Sequence, residues 1–166
     1  MSENLKDIEK VALQAMREMR LLLYQLREET HDQELTTALD IRFRQVENRL
    51  GIKALHEIDT NIFMPDEVRH HIWRILIETL NNSVKHASAN HVSVKIDQMS
   101  SNIHVNIQDD GVGFDVTNPY PGMGLKNIKA RVKEMGGECK IISQPGEGTQ
   151  IILQIPFDDT HSQRRR

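Results

Sequence analysis

Glu78, Asn82, Lys85 and His86 are the residues of this chain whose types and spacing first suggest chemistry. They sit at offsets of four, three and one in a stretch with helical periodicity. On a helix the first three lie near one another along the axis. A carboxylate and an amide oxygen one turn apart can address the same cation or water. Mg²⁺ takes hard oxygen ligands of this kind and keeps several waters and substrate phosphate oxygens. Lys85 adds a point charge suited to phosphate. A second group is Asp109-Asp110-Gly111-Val112-Gly113-Phe114. There an alternating run, Ile103, Val105 and Ile107, stops at two adjacent carboxylates and two glycines. The glycines open backbone conformations closed to other residues and leave no side chain in the way of a ligand. Two further glycine pairs come later in the chain. Gly122-Met123-Gly124-Leu125 ends a loop at a helix start, where exposed N–H groups make an anion site. Gly146-Glu147-Gly148-Thr149 is a hairpin-like turn. Each motif by itself also has a plainer reading: a solvated helix face with a Glu–Lys pair, a tight turn, a loop-to-helix turn, a strand connection.

The elements that must position these groups are legible in the hydrophobic periodicity. Residues 4–29 carry Leu5, Ile8, Ala12, Ala15, Met19, Leu22 and Leu26, a heptad seam on a long helix, part of which projects and meets a partner helix. A polar break comes next, and residues 33–50 form a second helix with Leu35, Leu39, Phe43, Val46 and Leu50 on one face. Gly51 suits its C-terminus. Residues 52–58 read as a strand. Residues 66–87 form the helix that bears Glu78 and Asn82. It turns Val68, Ile72, Ile75, Leu76, Thr79, Leu80 and Val84 toward a core and has acidic residues in its first turn. From His91 the period becomes two. Val92, Val94 and Ile96 make one strand, and Ile103, Val105 and Ile107 the next, with residues 98–102 as the connection. A loop over 114–121 leads to a helix carrying Leu125, Ile128, Val132 and Met135 and ended by Gly136-Gly137. Two last strands cover Glu138–Ser143 and Thr149–Pro156. Eight of the 9 glycines lie after residue 110, so backbone permissiveness is concentrated in the second group and the C-terminal third of the chain.

Composition narrows the classes. At 166 residues, 38% apolar and 27% charged, the chain suits one globular domain with an appendage. A net charge of −3 gives no general pull toward nucleic acid or anionic membrane. Aromatics at 4% argue against a base-stacking surface. One cysteine, Cys139, excludes an intramolecular disulfide framework and suits a reducing compartment. No apolar run is long enough to span a membrane, and the charged N-terminus is no signal peptide. There is no Walker A pattern, protein-kinase glycine loop, Cys/His metal cluster or nucleophile elbow.

In combination and in this order the motifs resemble the ATP-binding domain of histidine kinases, within the superfamily that includes DNA gyrase, Hsp90 and MutL. They are most similar to the nitrate/nitrite-sensor-like subfamily. Residues 74–87 look like its N box, residues 109–114 like its first glycine box, residues 122–132 with Met135-Gly136-Gly137 like the second, and residues 146–149 like the last. Ile77 departs from the Gln that many relatives carry there. The resemblance is strong over about residues 50–157 and extends back through the first helix, which resembles the subfamily's second dimerisation helix.

The resemblance implies an α+β fold, a two-layer sandwich of mixed β-sheet with helices on one face, preceded by a helical arm. Residues 1–30 would be part of the dimerisation domain, 31–157 the catalytic domain and 158–166 a disordered tail. It implies ATP and Mg²⁺ as cofactors. Asp109 would accept a hydrogen bond from the adenine amino group, and Gly111 and Gly113 would let the backbone pass the base. Asn82 would ligate Mg²⁺, and Glu78 would act as general base or position the accepting group. Lys85 and His86 would contact phosphates or ribose. Gly122 and Gly124 would hinge a lid, with Leu125, Lys126 and Thr149 also at the nucleotide. The implied function is transfer of the γ-phosphate to a histidine and onward to a response regulator's receiver domain. The partners would be a phosphoacceptor helix of the same or another kinase and a second copy through the first helix, with no nucleic acid and no membrane contact by this chain. The compartment would be cytoplasmic, as a free protein or as the cytoplasmic part of a membrane-bound sensor. The first helix holds no histidine, and His31-Asp32 stands in the break after it, so the acceptor is expected outside this chain. An anti-sigma-factor-type serine kinase and a non-enzymatic ATP-dependent adaptor are the alternatives.

Overall fold

A computed structural model describes residues 35–59, 62, 64–117 and 122–156. The first helix, His31, residues 118–121 of the loop before the last helix and the tail lie outside the described residues. Helix α1 (Leu35–Leu50) leads into strand β1 (Lys53–Ile58), helix α2 (Asp66–Asn82), strands β2 (His91–Met99) and β3 (Asn102–Asp109), helix α3 (Met123–Glu134), and strands β4 (Glu138–Ser143) and β5 (Thr149–Pro156). The sheet order is β1-β2-β3-β5-β4. The β1–β2 pair is parallel and the other pairs are antiparallel, so the sheet is mixed. A parallel pair needs a long crossover, and α2 supplies it.

Period-two patterning sets the two faces. Val94, Ile107 and Ile151 stand opposite one another across β2, β3 and β5, as do Ile96, Val105 and Leu153. All six are buried, with Leu39, Phe43, Ile72, Leu76, Leu80, Ile128 and Val132 of the helices packed among them. The alternate residues Ser93, Lys95, Gln108, Lys140 and Gln154 are exposed. The helices therefore lie on one face, and the α+β sandwich expected from the sequence is what forms. No described helix is long and apolar enough to cross a membrane.

Three details differ from the sequence reading. Leu50 is 42% exposed, where the chain turns away at Gly51, whose N–H bonds to Glu47 O (2.9 Å). The β2–β3 ladder runs to Met99↔Asn102, so the connection shrinks to Ser100-Ser101, with Ser100 at φ 54°. The helix of residues 66–87 is α only to Asn82; Ser83–Ala87 form a wider π-type turn.

Candidate functional site

Helix α2 starts at Pro65, whose carbonyl accepts the Arg69 N–H at 2.9 Å, with Asp66 and Glu67 in the first turn where the dipole favours them. Its last turns hold two hydroxyls that bond back along the helix. Thr79 Oγ1 donates to Ile75 O at 2.9 Å, and Ser83 Oγ lies 3.2 Å from Thr79 O. Back-bonding of this kind loosens and bends helices, and the widened turn begins at Ser83. Asn81 is buried and accepts a hydrogen bond from Arg42 Nη2 of α1 at 3.0 Å. Its neighbour Asn82 turns the other way, into a cavity.

Asp109 ends β3 on the buried face and is 6% exposed. Its Oδ2 accepts from Ser83 Oγ at 2.8 Å, and its Oδ1 accepts the Gly111 N–H at 3.0 Å. One donor belongs to the helix that bears Asn82 and the other to the glycine corner, so the carboxylate bridges the two. The glycines after it are packing requirements. A methyl group on Gly111 would collide with the side chain and carbonyl of Ala87. The Val112 N–H donates to Ala87 O at 2.7 Å. Gly113 (φ 59°) presses on Gln144 O, and Gly148 (φ 72°) presses on Asp109 O. Both backbones are left-handed, so both need glycine twice over. Ser143 Oγ donates to Gly148 O at 2.7 Å and accepts the Phe114 N–H at 2.9 Å. The first and last glycine motifs thus form a single wall.

Helix α3 begins at Gly122 with no side-chain cap and no acidic residue in its first turn. Among the described residues no side chain caps its first N–H groups, the kind of donors that bind anions at a helix start. Gly124 lies against α2: a methyl group there would run into the Glu78 carboxylate and stand 3.3 Å from the Asn82 side-chain nitrogen.

Between these walls is a cavity of about 650 Å³. Asn82, His86, Asp109, Gly113, Gly122, Leu125, Lys126 and Thr149 line it, as the sequence reading expects of ligand-contacting residues. Gly111, Gly124 and Glu78 are not among the lining residues. Lys85 is exposed and is not among the lining residues, although His86 beside it in the same turn is. Thr79, Phe114, Val116, Lys129, Ile141 and Ile151 line the cavity as well; the sequence placed Thr79 in the core and Phe114 at the end of the first glycine motif, and assigned no site role to any of the six. Lys129 was findable, since it lies one turn beyond Lys126. Ile141 and Ile151 face each other across β4 and β5 and read only as core. The cavity brings together apolar side chains, a buried carboxylate, an amide and two lysines.

The family model described as histidine kinase-, DNA gyrase B-, and HSP90-like ATPase matches residues 67–159. The signal transduction histidine-protein kinase/phosphatase DegS of Brevibacillus brevis is 33% identical over 158 residues, covering 93% of this chain and 41% of that protein. The sensor protein VraS of Staphylococcus epidermidis is 28% identical over 160 residues, covering 95% of this chain and 46% of its own length. The chain therefore spans less than half the length of these relatives. Among solved structures, the histidine kinase domain of the Erythrobacter litoralis EL346 blue-light activated histidine kinase aligns with a TM-score of 0.61 at 24% identity, over 70% of this chain and 57% of that one. The Acinetobacter baumannii histidine kinase AdeS aligns at 0.59 and 20% identity, over 95% and 84%. These last two likenesses speak for the fold.

Proposed function

We infer that this chain, which belongs to the histidine kinase-, DNA gyrase B-, and HSP90-like ATPase family, is the ATP-binding catalytic part of a two-component sensor histidine kinase. The observation that carries the reading is the bridge from Asp109 through Ser83 to the helix of Asn82, with one cavity joining the two ends. Adenine lies at the Asp109 end, on the apolar floor of Ile141 and Ile151, with its 6-amino group donating to the carboxylate. Gly111 and Gly113 keep the wall thin beside it. The phosphates extend toward Asn82, the N-terminus of α3, Lys126 and His86. Lys85 serves from outside, at the mouth. Gly122 and Gly124 let α3 and the loop before it close as a lid, with Leu125 and Thr149 packing on the nucleotide.

The donor set fits Mg²⁺. Asn82 and Glu78 bring an amide and a carboxylate together beneath Gly124, and no cluster of three acidic, His or Cys side chains able to hold a metal alone occurs among the described residues. A hard cation with few protein ligands is held mainly through the nucleotide's phosphates. When bound, Mg²⁺ supplies neutralisation of phosphate charge. The chain's own residues position the rest. An imidazole nitrogen of the acceptor histidine attacks the γ-phosphorus, the bond to the ADP oxygen breaks, and Glu78 orients the incoming ring. Such a transfer rests on positioning and charge neutralisation. The acceptor lies on a dimerisation helix outside this chain. The phosphate passes on to a receiver-domain aspartate, the first helix meets a second copy, and the site works in the cytoplasm.

The test is a single-turnover reaction with labelled ATP, Mg²⁺ and a separately supplied histidine-bearing dimerisation helix pair. The expected product is an acid-labile, base-stable phosphate on that helix. Acid-stable label on a serine would move the assignment to a serine kinase. Nucleotide binding with no transfer to any such helix would leave the adaptor.

A further inference from the structure

Asp110 is the carboxylate that the nucleotide site does not use, and its surroundings are more specific than exposure would suggest. Its side chain is 43% exposed. Even so, Oδ1 accepts the N–H groups of Asn90 (2.7 Å) and His91 (2.8 Å), and Oδ2 lies 2.7 Å from His91 Nδ1. The Asp110 N–H returns to His91 O at 3.3 Å. Hydrogen bonds to a charged acceptor are the stronger kind. The segment gripped in this way, from Ala87 to His91, links the end of the α2 turn to β2. It includes Ser88 in a left-handed conformation, and Ser88, Asn90 and His91 are exposed. Ala87 and Ala89 anchor the segment in the core, and the carbonyls of Ala87 and Asn90 accept the N–H groups of Val112 (2.7 Å) and Lys53 (2.8 Å); Asp110 adds the side-chain tie from Asn90 and His91 to the corner.

The consequence falls on Asp109. Its two donors stand on different bodies, Ser83 on the widened helix turn and the Gly111 N–H on the corner. A small slide of corner against helix costs the carboxylate one of them and turns its plane. We propose that Asp110 is a positioning residue for nucleotide selectivity: by fastening the Asp109–Gly111 corner to the Asn90 and His91 N–H groups, it fixes how Asp109 meets the 6-amino group of the purine. The proposal rests on the reading of Asp109 as the adenine acceptor.

The experiment compares the Kd of ATP with that of ITP, which carries a 6-oxo group, by calorimetry with Mg²⁺ on the full chain. Asp110→Ala lowers the preference for ATP over ITP by about threefold or more, the loss expected for one weakened hydrogen bond. Asp110→Glu, which keeps the charge but shifts the oxygens by a methylene, lowers it too. Asp110→Asn, which keeps an acceptor for both N–H groups, restores most of the preference, and His91→Ala leaves it nearly intact because the backbone donors remain. A purely structural role would weaken both nucleotides by one factor and leave the ratio alone; that result, or an unchanged ratio in both Asp110→Ala and Asp110→Glu, overturns the proposal. Should Asp110→Ala fail to fold, Asp110→Glu decides alone. A parent protein that shows no preference for ATP would instead sink the adenine reading of Asp109, and this inference with it.

Discussion

Replacing Asp109 by Asn separates the charge of the site from its shape. The carboxylate is buried and holds two donors, Ser83 Oγ at 2.8 Å and the Gly111 N–H at 3.0 Å. Asn has nearly the same outline, so the packing stays. Its amide oxygen must take the Gly111 N–H, because a backbone donor cannot reverse. Its amino group then falls on the Ser83 side. The Ser83 hydroxyl can turn to accept from it and donate to Thr79 O, 3.2 Å away. The fold thus keeps its hydrogen bonds and the site loses its charge. A hydrogen bond to a charged group contributes about 1.5–3 kcal/mol, against about 1 kcal/mol for a neutral pair. The swap also aims an N–H toward the adenine amino group. The expected loss is about 1.4 kcal/mol or more, at least about tenfold in the Kd of ATP. Calorimetric titration with ATP and Mg²⁺ reads it directly, with thermal unfolding as the control for an intact fold. Binding within about twofold of the parent would refute the adenine role.

The same geometry gives three further outcomes. Asn82→Ala should cut phosphoryl transfer far more than nucleotide affinity, read by single-turnover kinetics beside calorimetry; equal losses would remove Asn82 from the metal site. Gly111→Ala should destabilise by about 1–3 kcal/mol, since the added methyl lands on Ala87, whereas Gly122→Ala, with open space around it among the described residues, should stay within about 0.5 kcal/mol. Denaturant midpoints compare the two, and equal effects would contradict the packing. The third outcome concerns acid. The backbone N–H of His91, its ring and the Asn90 N–H hold the Asp110 carboxyl down from 3.8 to about 2. A folded-state value below the unfolded one gives stability that is present above pH 3.8 and is lost as pH falls through about 2. The contribution is small because solvent screens the group. The stability difference between the parent and Asp110→Asn should therefore shrink over that window in urea titrations, and a constant difference would count against the clamp.

What the sequence discloses and what it hides divide along physical lines. β4 and β5 are legible to the residue because alternation and a glycine turn are local signals. Only the family resemblance chose between the two carboxylates in the sequence; in the fold, strand parity separates them. Asp109 continues the row of Ile103, Val105 and Ile107 onto the buried face, and Asp110 falls outside it. The wide turn at Ser83–Ala87 is hidden, since one extra residue in a turn barely alters a helical pattern. Within this turn His86 lines the cavity and Lys85 is exposed, a difference that spacing alone does not display. Ser83 is hidden for a different reason. Its partner Asp109 is 26 residues away, and only the closure of α2 onto the end of β3 makes the serine part of the site.

The glycines are alike in the sequence and fall into two mechanical kinds in the fold. Gly111, Gly113 and Gly148 are points where backbone touches backbone or a neighbouring side chain, and together they weld β3, the end of α2 and the β4–β5 turn into a rigid adenine wall. A methyl group on Gly122 would meet nothing within 4 Å among the described residues, and one on Gly124 would meet the side-chain tips of Glu78 and Asn82. A wall must be rigid to discriminate between bases, and a lid must be loose to admit them. Alanine at the first set should therefore cost stability. At Gly122 it should leave stability alone and change only the rates at which nucleotide enters and leaves.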